Sequence, residues 1–331
     1  MVKDLPKDHL DLIDPMLADG KNPDFLDTLD SEESARWWMG EKFDGHRHMI
    51  YIEEDGVHLI SRGVKDVTKN VPQLQEIDYK SWIGTVIDVE AIAPTLRLDD
   101  TKSILGSRPE TGIRWQLEHG ILKLIAIDLP RCLGVDLMSQ LFIARRKKLV
   151  DTVNLIKMPG LGAERLITLG EANDGSKVES ISSLRKRYDE IVASGGEGTV
   201  LKDRVSPYLP GKRKGWIKIK RVETIDAIIM GYIPIGGKGV VSERVGHANT
   251  PGALKYGQYK DGELVEVGKV GGLTDEERLM FAKRGDELLG SVIEIEGQEI
   301  GKNGALRHPR FIRLRDDKQP KECKLEAKEM V

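Results

Sequence analysis

Only two cysteines, Cys132 and Cys323, occur in the 331 residues, far apart and with no paired spacing or histidine cluster beside them. A structural disulfide and a zinc site are both disfavoured, and the two are read as incidental thiols. Long apolar runs are missing as well: no stretch approaches the roughly 18 residues of a membrane span, so the sequence predicts no bilayer crossing. The segment Met1 to Asp8 lacks the apolar core of a secretory signal, and the last residues carry no lipidation or retention signal; a cytoplasmic location is expected. A global excess of positive charge is absent too, since 51 basic against 54 acidic residues leaves −3. The whole-chain signature of a nucleic-acid binder is therefore lacking.

What is present is distribution. Between Lys202 and Arg221 stand Lys202, Arg204, Lys212, Arg213, Lys214, Lys218, Lys220 and Arg221 against the single acid Asp203. A local field of that kind can hold phosphates on an otherwise acidic chain, although a solvated basic loop has the same composition. A length of 331 residues favours two globular domains. In the first, Met49 to Ile52, the turn Glu54-Asp55-Gly56 and Val57 to Ser61 read as a β-hairpin. Further strands are expected at Thr85 to Ile92 and Lys123 to Leu129, and helices at Leu141 to Val150 and Ser182 to Ala193. Beyond Arg221 come short alternating segments: Asp226 to Gly231, Leu254 to Tyr259, Glu263 to Val270, Val292 to Ile295 and Phe311 to Leu314. Five short strands with Gly-rich turns fit a small oligonucleotide-binding (OB) barrel. Thr274-Asp275-Glu276-Glu277 is a capping box that would start a helix between two of them.

Directly before the hairpin lies Lys42-Phe43-Asp44-Gly45-His46-Arg47. A lysine attacks phosphorus only as the neutral amine, so a nucleophilic Lys42 needs burial, a metal ion or neighbouring cations. Asp44-Gly45 supplies a tight turn with close backbone approach at Gly45, and Arg47 supplies a guanidinium able to fork onto phosphate oxygens. Taken alone, the segment is equally readable as a surface turn.

The partners follow in order. Lys42 to Arg47 resembles motif I of the nucleotidyltransferase superfamily of ATP-dependent DNA ligases, RNA ligases and mRNA capping enzymes. Ser61-Arg62-Gly63, with Thr68 and Pro72, is similar to motif Ia, and Asp88-Val89-Glu90 to motif III. Gly196 to Lys202 resembles motif IV, Trp216-Ile217-Lys218-Ile219-Lys220 motif V, and Arg315-Asp316-Asp317-Lys318 motif VI. The resemblance runs from Pro15-Met16-Leu17-Ala18 to this last motif. It implies an α+β fold: a nucleotidyltransferase (adenylation) domain of mixed and antiparallel sheets with helices over residues 1–220, then an OB-fold domain over 221–331. It also implies a reaction, in which Lys42 takes AMP from ATP, AMP passes to a 5′-phosphate at a nick, and the adjoining 3′-hydroxyl displaces it.

Within that resemblance Glu41, Arg47, Arg62, Glu90, Ile127, Lys218, Lys220, Arg315 and Lys318 are expected to contact the nucleotide. Glu90 and Glu197 are suited to Mg²⁺, for which Mn²⁺ would substitute, and Glu90 alternatively to the ribose hydroxyls. On a strand, Lys218 and Lys220 would face one side while Trp216, Ile217 and Ile219 enter the core. Arg315 and Lys318 would align the β- and γ-phosphates and then withdraw, so the second domain is expected to swing between two positions. Thr101 to Pro109 and Gly304 to Phe311 resemble DNA ligases more than their relatives. An RNA ligase or capping-type guanylyltransferase is the main alternative, and a non-catalytic nucleic-acid-binding protein is disfavoured by the full motif set.

The compact two-domain form is that of phage or bacterial accessory ligases. A monomer acting on nicked double-stranded DNA, in repair, replication or recombination in a bacterial or phage-infected cell, is the expectation. With only about forty residues ahead of Lys42, DNA would be gripped by the two domains themselves, with Lys212, Arg213, Lys214, Lys238 and Arg244 as backbone contacts. Two positions depart from the family. Ile127 stands where an aromatic usually stacks on adenine, and Gly40 stands where many ligases carry Glu; an aromatic from elsewhere is one way to hold the base.

Overall fold

The β-rich runs become strands because their side chains can bury on one or both faces while helices cover the sheets. In the computed structural model, residues 10–156, 167–169, 181–235, 250–298, 300–301 and 303–325 are described. Lys238 and Arg244, expected to contact DNA, lie outside these residues. The chain divides into two units, Met1–Lys220 and Arg221–Val331.

The first unit contains, in chain order, β1 (Asp19–Lys21), α1 (Ser31–Arg36), β2 (Trp37–Glu41), β3 (His46–Glu53), β4 (Gly56–Ser61), β5 (Thr85–Ile92), α2 (Leu98–Gly106), α3 (Pro109–His119), β6 (Lys123–Cys132), β7 (Val135–Asp136), α4 (Phe142–Leu155), β8 (Ile167–Leu169), α5 (Ile181–Ala193), β9 (Gly198–Asp203) and β10 (Trp216–Lys220). One sheet has the order β1-β10-β9-β2, antiparallel except for the β1–β10 pair. The other has the order β4-β3-β5-β6-β7, with β8 added parallel to β6. The expected hairpin is β3–β4, with Glu53 opposite Gly56.

Period-two alternation assigns each sheet a core face and a second face. From the first sheet Met39, Leu201 and Ile219 bury against Leu26 and against Leu184 and Tyr188 of α5. From the second, Ile50, Ile52, Ile87, Val89 and Leu124 bury with Ile104 and Leu105 of α2 and Leu149 and Val153 of α4. Full burial of each such aliphatic side chain contributes about 1.5–3 kcal/mol. α1 is started by Asp30, whose carboxylate accepts from the Glu33 amide at 2.8 Å within a capping box; losing such a cap costs about 1 kcal/mol. α4 is anchored by Arg145, fully buried and forked onto Asp128 of β6 at 2.9 Å through both Nε and Nη2.

The second unit contains β11 (Glu223–Pro234), β12 (Pro251–Lys260), β13 (Glu263–Val270), α6 (Asp275–Leu288), β14 (Val292–Gly297) and β15 (Arg310–Leu314). The sheet order is β13-β12-β11-β14-β15, with α6 between its third and fourth strands in sequence. Thr274 caps α6 through the expected box with Glu277. This is an OB-like arrangement, but among the described residues the barrel is not zipped shut: the edges meet at one bridge, from Gly271, just past β13, to Arg310 of β15. No helix among the described residues is long and apolar enough to cross a membrane.

Candidate active site

The second face of the β10-β9-β2 sheet is a ladder of rows. Trp38, Lys202 and Trp216 lie abreast, then Gly40, Val200 and Lys218. Gly198 and Lys220 form the next row, where the Lys42 amide donates to the Gly198 carbonyl at 2.8 Å. Lys42 thus extends the end of β2, after which the chain leaves one sheet and enters the other at His46. Instead of a tight turn, Lys42 to Gly45 form a crossover between sheets. A Cβ at Gly45 would stand 2.3 Å from the Ala91 carbonyl oxygen and 2.8 Å from Glu90 Cγ, so only glycine lets the crossover pass so close to β5.

The Lys42 ammonium pairs with Glu197 Oε2, while Lys220 Nζ reaches Glu197 Oε1 at 2.8 Å. Glu197 therefore serves two lysines. Lys218 has its pKa pulled down by burial first and then by the cations Arg213, Lys220 and Lys42. That crowding of four cations is an arrangement that repels a further one and attracts phosphate. Glu90 is partly buried in the cavity wall, and desolvation pushes its carboxyl up to about 7 against the opposing pull of Arg47 and Lys42.

A cavity of about 250 Å³ opens on this ladder. Of the expected nucleotide contacts, Glu41, Lys42, Arg47, Arg62, Glu90, Ile127 and Lys218 line it; Arg213, expected on DNA, lines it too. Glu197 and Lys220 are not part of the lining and reach the cavity through Lys42. Lys212 and Lys214 are exposed beside Arg213. Arg47 differs from expectation in its partner. Its fork is taken by buried Asp88, Nε to Oδ1 at 2.8 Å and Nη2 to Oδ2, with the guanidinium 5.2 Å over the Trp216 ring. Burial lowers the Arg47 pKa, yet Asp88 outweighs it and the net shift is upward. Trp216 also corrects the strand reading, for it shares a face with Lys218 and Lys220 rather than with Ile217 and Ile219.

Three cavity residues were given no site role by the motif reading, although Lys202 ends the motif IV segment. Lys202 is buried, donates to the Ile127 carbonyl at 2.8 Å, and sits 4.3 Å over Trp216 and 5.4 Å over Trp38. Burial pulls its pKa down to about 7, with Asp128 opposing. The alternation Gly198, Val200, Lys202 held that signal. Arg146 of α4 lies 5.0 Å over Trp38 and makes no hydrogen bond with the described residues. Nothing in a helical Arg-Arg pair shows which of the two turns inward. Trp38 itself precedes the recognisable motif.

In the second unit, Asp226 of β11 binds both expected phosphate contacts: Oδ1 accepts from Arg315 Nη1 at 3.0 Å, and Oδ2 from Lys318 Nζ. Asp317 takes the Arg315 fork, at 2.8 Å to both Nε and Nη2.

With this geometry in view, known proteins place the chain. A family model described as ATP dependent DNA ligase domain matches residues 15–220. A DNA ligase of Methanothrix thermoacetophila is 30% identical over 310 residues, covering 85% of this chain and 52% of the relative. One from Thermococcus onnurineus is 31% identical over 350 residues, covering 96% and 58%. The chain thus spans little more than half the length of these curated relatives. Among solved structures, a Lig E DNA ligase studied for DNA binding with a minimal scaffold aligns at TM-score 0.62 and 22% identity, over 92% of this chain and all of that one. The ATP-dependent DNA ligase from bacteriophage T7, solved with ATP, aligns at TM-score 0.50 and 18% identity, over 91% and 98%. At these identities the likeness is one of fold. The matched domain begins at the strand-rich N-terminal part and ends at Lys220, enclosing Lys42 and the whole cavity, and by that match the chain belongs to the ATP-dependent DNA ligase family.

Proposed function

We propose that this chain seals nicks in double-stranded DNA at the expense of ATP, with Met1–Lys220 as its adenylation domain and Arg221–Val331 as its OB-fold domain. The observation that carries the reading is Lys42: a lysine in the wall of a cavity, ion-paired to Glu197 and followed at the same end by Lys218, Lys220, Arg62 and Arg213. In the first step the Lys42 amine attacks the α-phosphorus, a P–N bond forms, and the P–O bond to pyrophosphate breaks. Lys218 and Arg62 bear on the charge that develops on the phosphate oxygens. AMP then moves to a 5′-phosphate, and the 3′-hydroxyl displaces it.

The carboxylates fit a hard cation. Glu90 lines the cavity, its carboxyl accepts no hydrogen bond from the described residues, and desolvation raises its pKa, the condition of a group awaiting a counter-charge. Mg²⁺ is commonly held by one or two carboxylates plus substrate phosphates, so Glu90 and Glu197 would suffice, with Mn²⁺ able to replace it. When bound there, the ion would polarise the phosphate. Incubation with α-labelled ATP and Mg²⁺ should label the protein covalently and Lys42→Ala should take no label; label on the variant would remove the nucleophile assignment. A nicked DNA duplex should then be sealed in preference to nicked RNA. Labelling by GTP in preference to ATP would favour a capping-type enzyme.

A further inference from the structure

The cavity is lined at one part by Lys42 and, two rows along the sheet, by Trp38, Lys202 and Trp216. Alternate residues of a strand stand about 6.8 Å apart. A ribose separates the α-phosphate of a nucleotide from its base, so a nucleotide whose phosphorus faces Lys42 lays its base over the Gly40–Val200 row. That row is flat for a reason visible in the geometry. A Cβ at residue 40 would stand 2.7 and 2.9 Å from Trp38 Cζ3 and Cη2. The six-membered ring of the indole therefore leans out of its own row and covers the place where a side chain at 40 would be.

Trp38 is an unusual choice for a position that merely fills core. Its Nε1, like that of Trp216 in the same row, is buried with no hydrogen-bond partner among the described residues, a condition that Leu or Phe would avoid. The ring is fixed by contacts with its surface instead: Phe142 edge-on at 5.5 Å, Arg146 at 5.0 Å and Lys202 at 5.4 Å. Ile125 and Ile127, also in the lining, offer aliphatic surface only.

We propose that Trp38 is the residue against which the nucleobase rests, and that position 40 is glycine so that the indole can reach it. This rests on the nucleotide-transfer reading above and adds to it the group that confers affinity for the base. Aromatic–base contact is worth about 5- to 150-fold in binding. In self-adenylation, Trp38→Leu should raise KM for ATP within that range while kcat at saturating ATP stays within about threefold, because Lys42 is untouched. Trp38→Phe should recover most of the affinity. Gly40→Ala, whose methyl must displace the indole, should also raise KM.

Calorimetric binding of ATP to the Lys42→Ala protein, with and without Trp38→Leu, reads the same contact without chemistry. If ATP binds tightly in a Trp38-dependent way but the wild-type chain never forms lysyl-AMP, the enzyme reading falls and the base contact stands. If the wild type labels and Trp38→Leu lowers Tm with KM unchanged, the base contact is overturned and Trp38 is core alone. Should Trp38→Leu fail to fold, an unchanged KM in Gly40→Ala overturns it equally.

Discussion

The Lys42 ammonium is ion-paired to the Glu197 carboxylate. An amine so engaged has its lone pair committed to a proton, so the pair must part, and the proton must leave, before phosphorus can be attacked. Glu197 Oε2 is the oxygen placed to receive it, with Lys220 on Oε1 at 2.8 Å keeping the carboxylate in position. Glu197→Gln retains the shape and removes the acceptor. Self-adenylation should fall by about 10²-fold or more, the scale of proton-transfer catalysis, and the loss should persist at saturating ATP and Mg²⁺. A variant that labels at the wild-type rate would confine Glu197 to holding Lys42 in place.

Glu90 provides a pH dependence. Burial raises its carboxyl to about 7 from an ordinary 4.5. The folded chain thus holds a proton that the unfolded chain releases between those values, so this group's stabilising contribution is complete below 4.5 and is lost as pH rises through 7. Glu90→Gln, neutral at every pH, should raise Tm at pH 8 relative to the wild type and leave it nearly equal at pH 4. Activity should run the other way. If Glu90 acts as a carboxylate, adenylation by the wild type should climb through a limb near pH 7 that moves to lower pH as Mg²⁺ is increased. Thermal melts and single-turnover labelling across that range check both statements, and a limb indifferent to Mg²⁺ would count against a cation at Glu90.

His58 gives the same sign in a higher pH window. Its ring lies between Asp55, at 3.0 Å from Nε2, and Asp66, at 3.8 Å from Nδ1. Pairing with the Asp66 carboxylate, and then the hydrogen bond to Asp55, raise it from 6.5 to about 9 despite burial. The imidazolium contribution is full below 6.5 and disappears as pH rises through 9. Asp66 closes the turn that carries Arg62 and bridges back to Ile60. The wild type should therefore lose stability between pH 7 and 10 by an amount that His58→Ala does not, seen as converging Tm curves. Parallel curves would show that the ring is neutral throughout.

These sites differ in how far the sequence reveals them. The β3–β4 hairpin after Lys42 follows from its two β-rich runs about a turn, and α6 from the Thr274–Glu277 capping box, because both signals are local, whereas β2 and β9 were not read as strands. The cavity residues Lys42, Glu90 and Lys218 were legible from motif order. Lys202 and Trp38 were not singled out, since a cation among indoles and an indole lying over a glycine arise only when β2, β9 and β10 align in register. The Arg47–Asp88 pair was hidden for the same reason: forty residues separate two partners that face each other across the β3–β5 ladder, one row apart. Burial and pairing are properties of the assembled sheets, which no single segment encodes.

Asp226 ties the two cations of the C-terminal motif to the first strand of their own unit, accepting from Arg315 Nη1 at 3.0 Å and from Lys318. Two like charges held by one carboxylate act as a pair at fixed spacing, which suits the alignment of adjacent phosphates. Asp317 occupies the Arg315 fork meanwhile and is exposed, so a phosphate can replace it at little cost. If Arg315 serves the triphosphate alone, Arg315→Ala should abolish self-adenylation yet still seal a nick supplied already adenylated. Asp226→Asn should lower the adenylation rate in the same selective manner, though less, because Arg315 and Lys318 keep their charges and lose only their spacing. Comparing lysyl-AMP formation with sealing of pre-adenylated DNA for both variants separates the possibilities. Equal loss of both steps would contradict a role confined to the first, and faster adenylation in Asp226→Asn would mean that the carboxylate restrains the cations rather than aligns them.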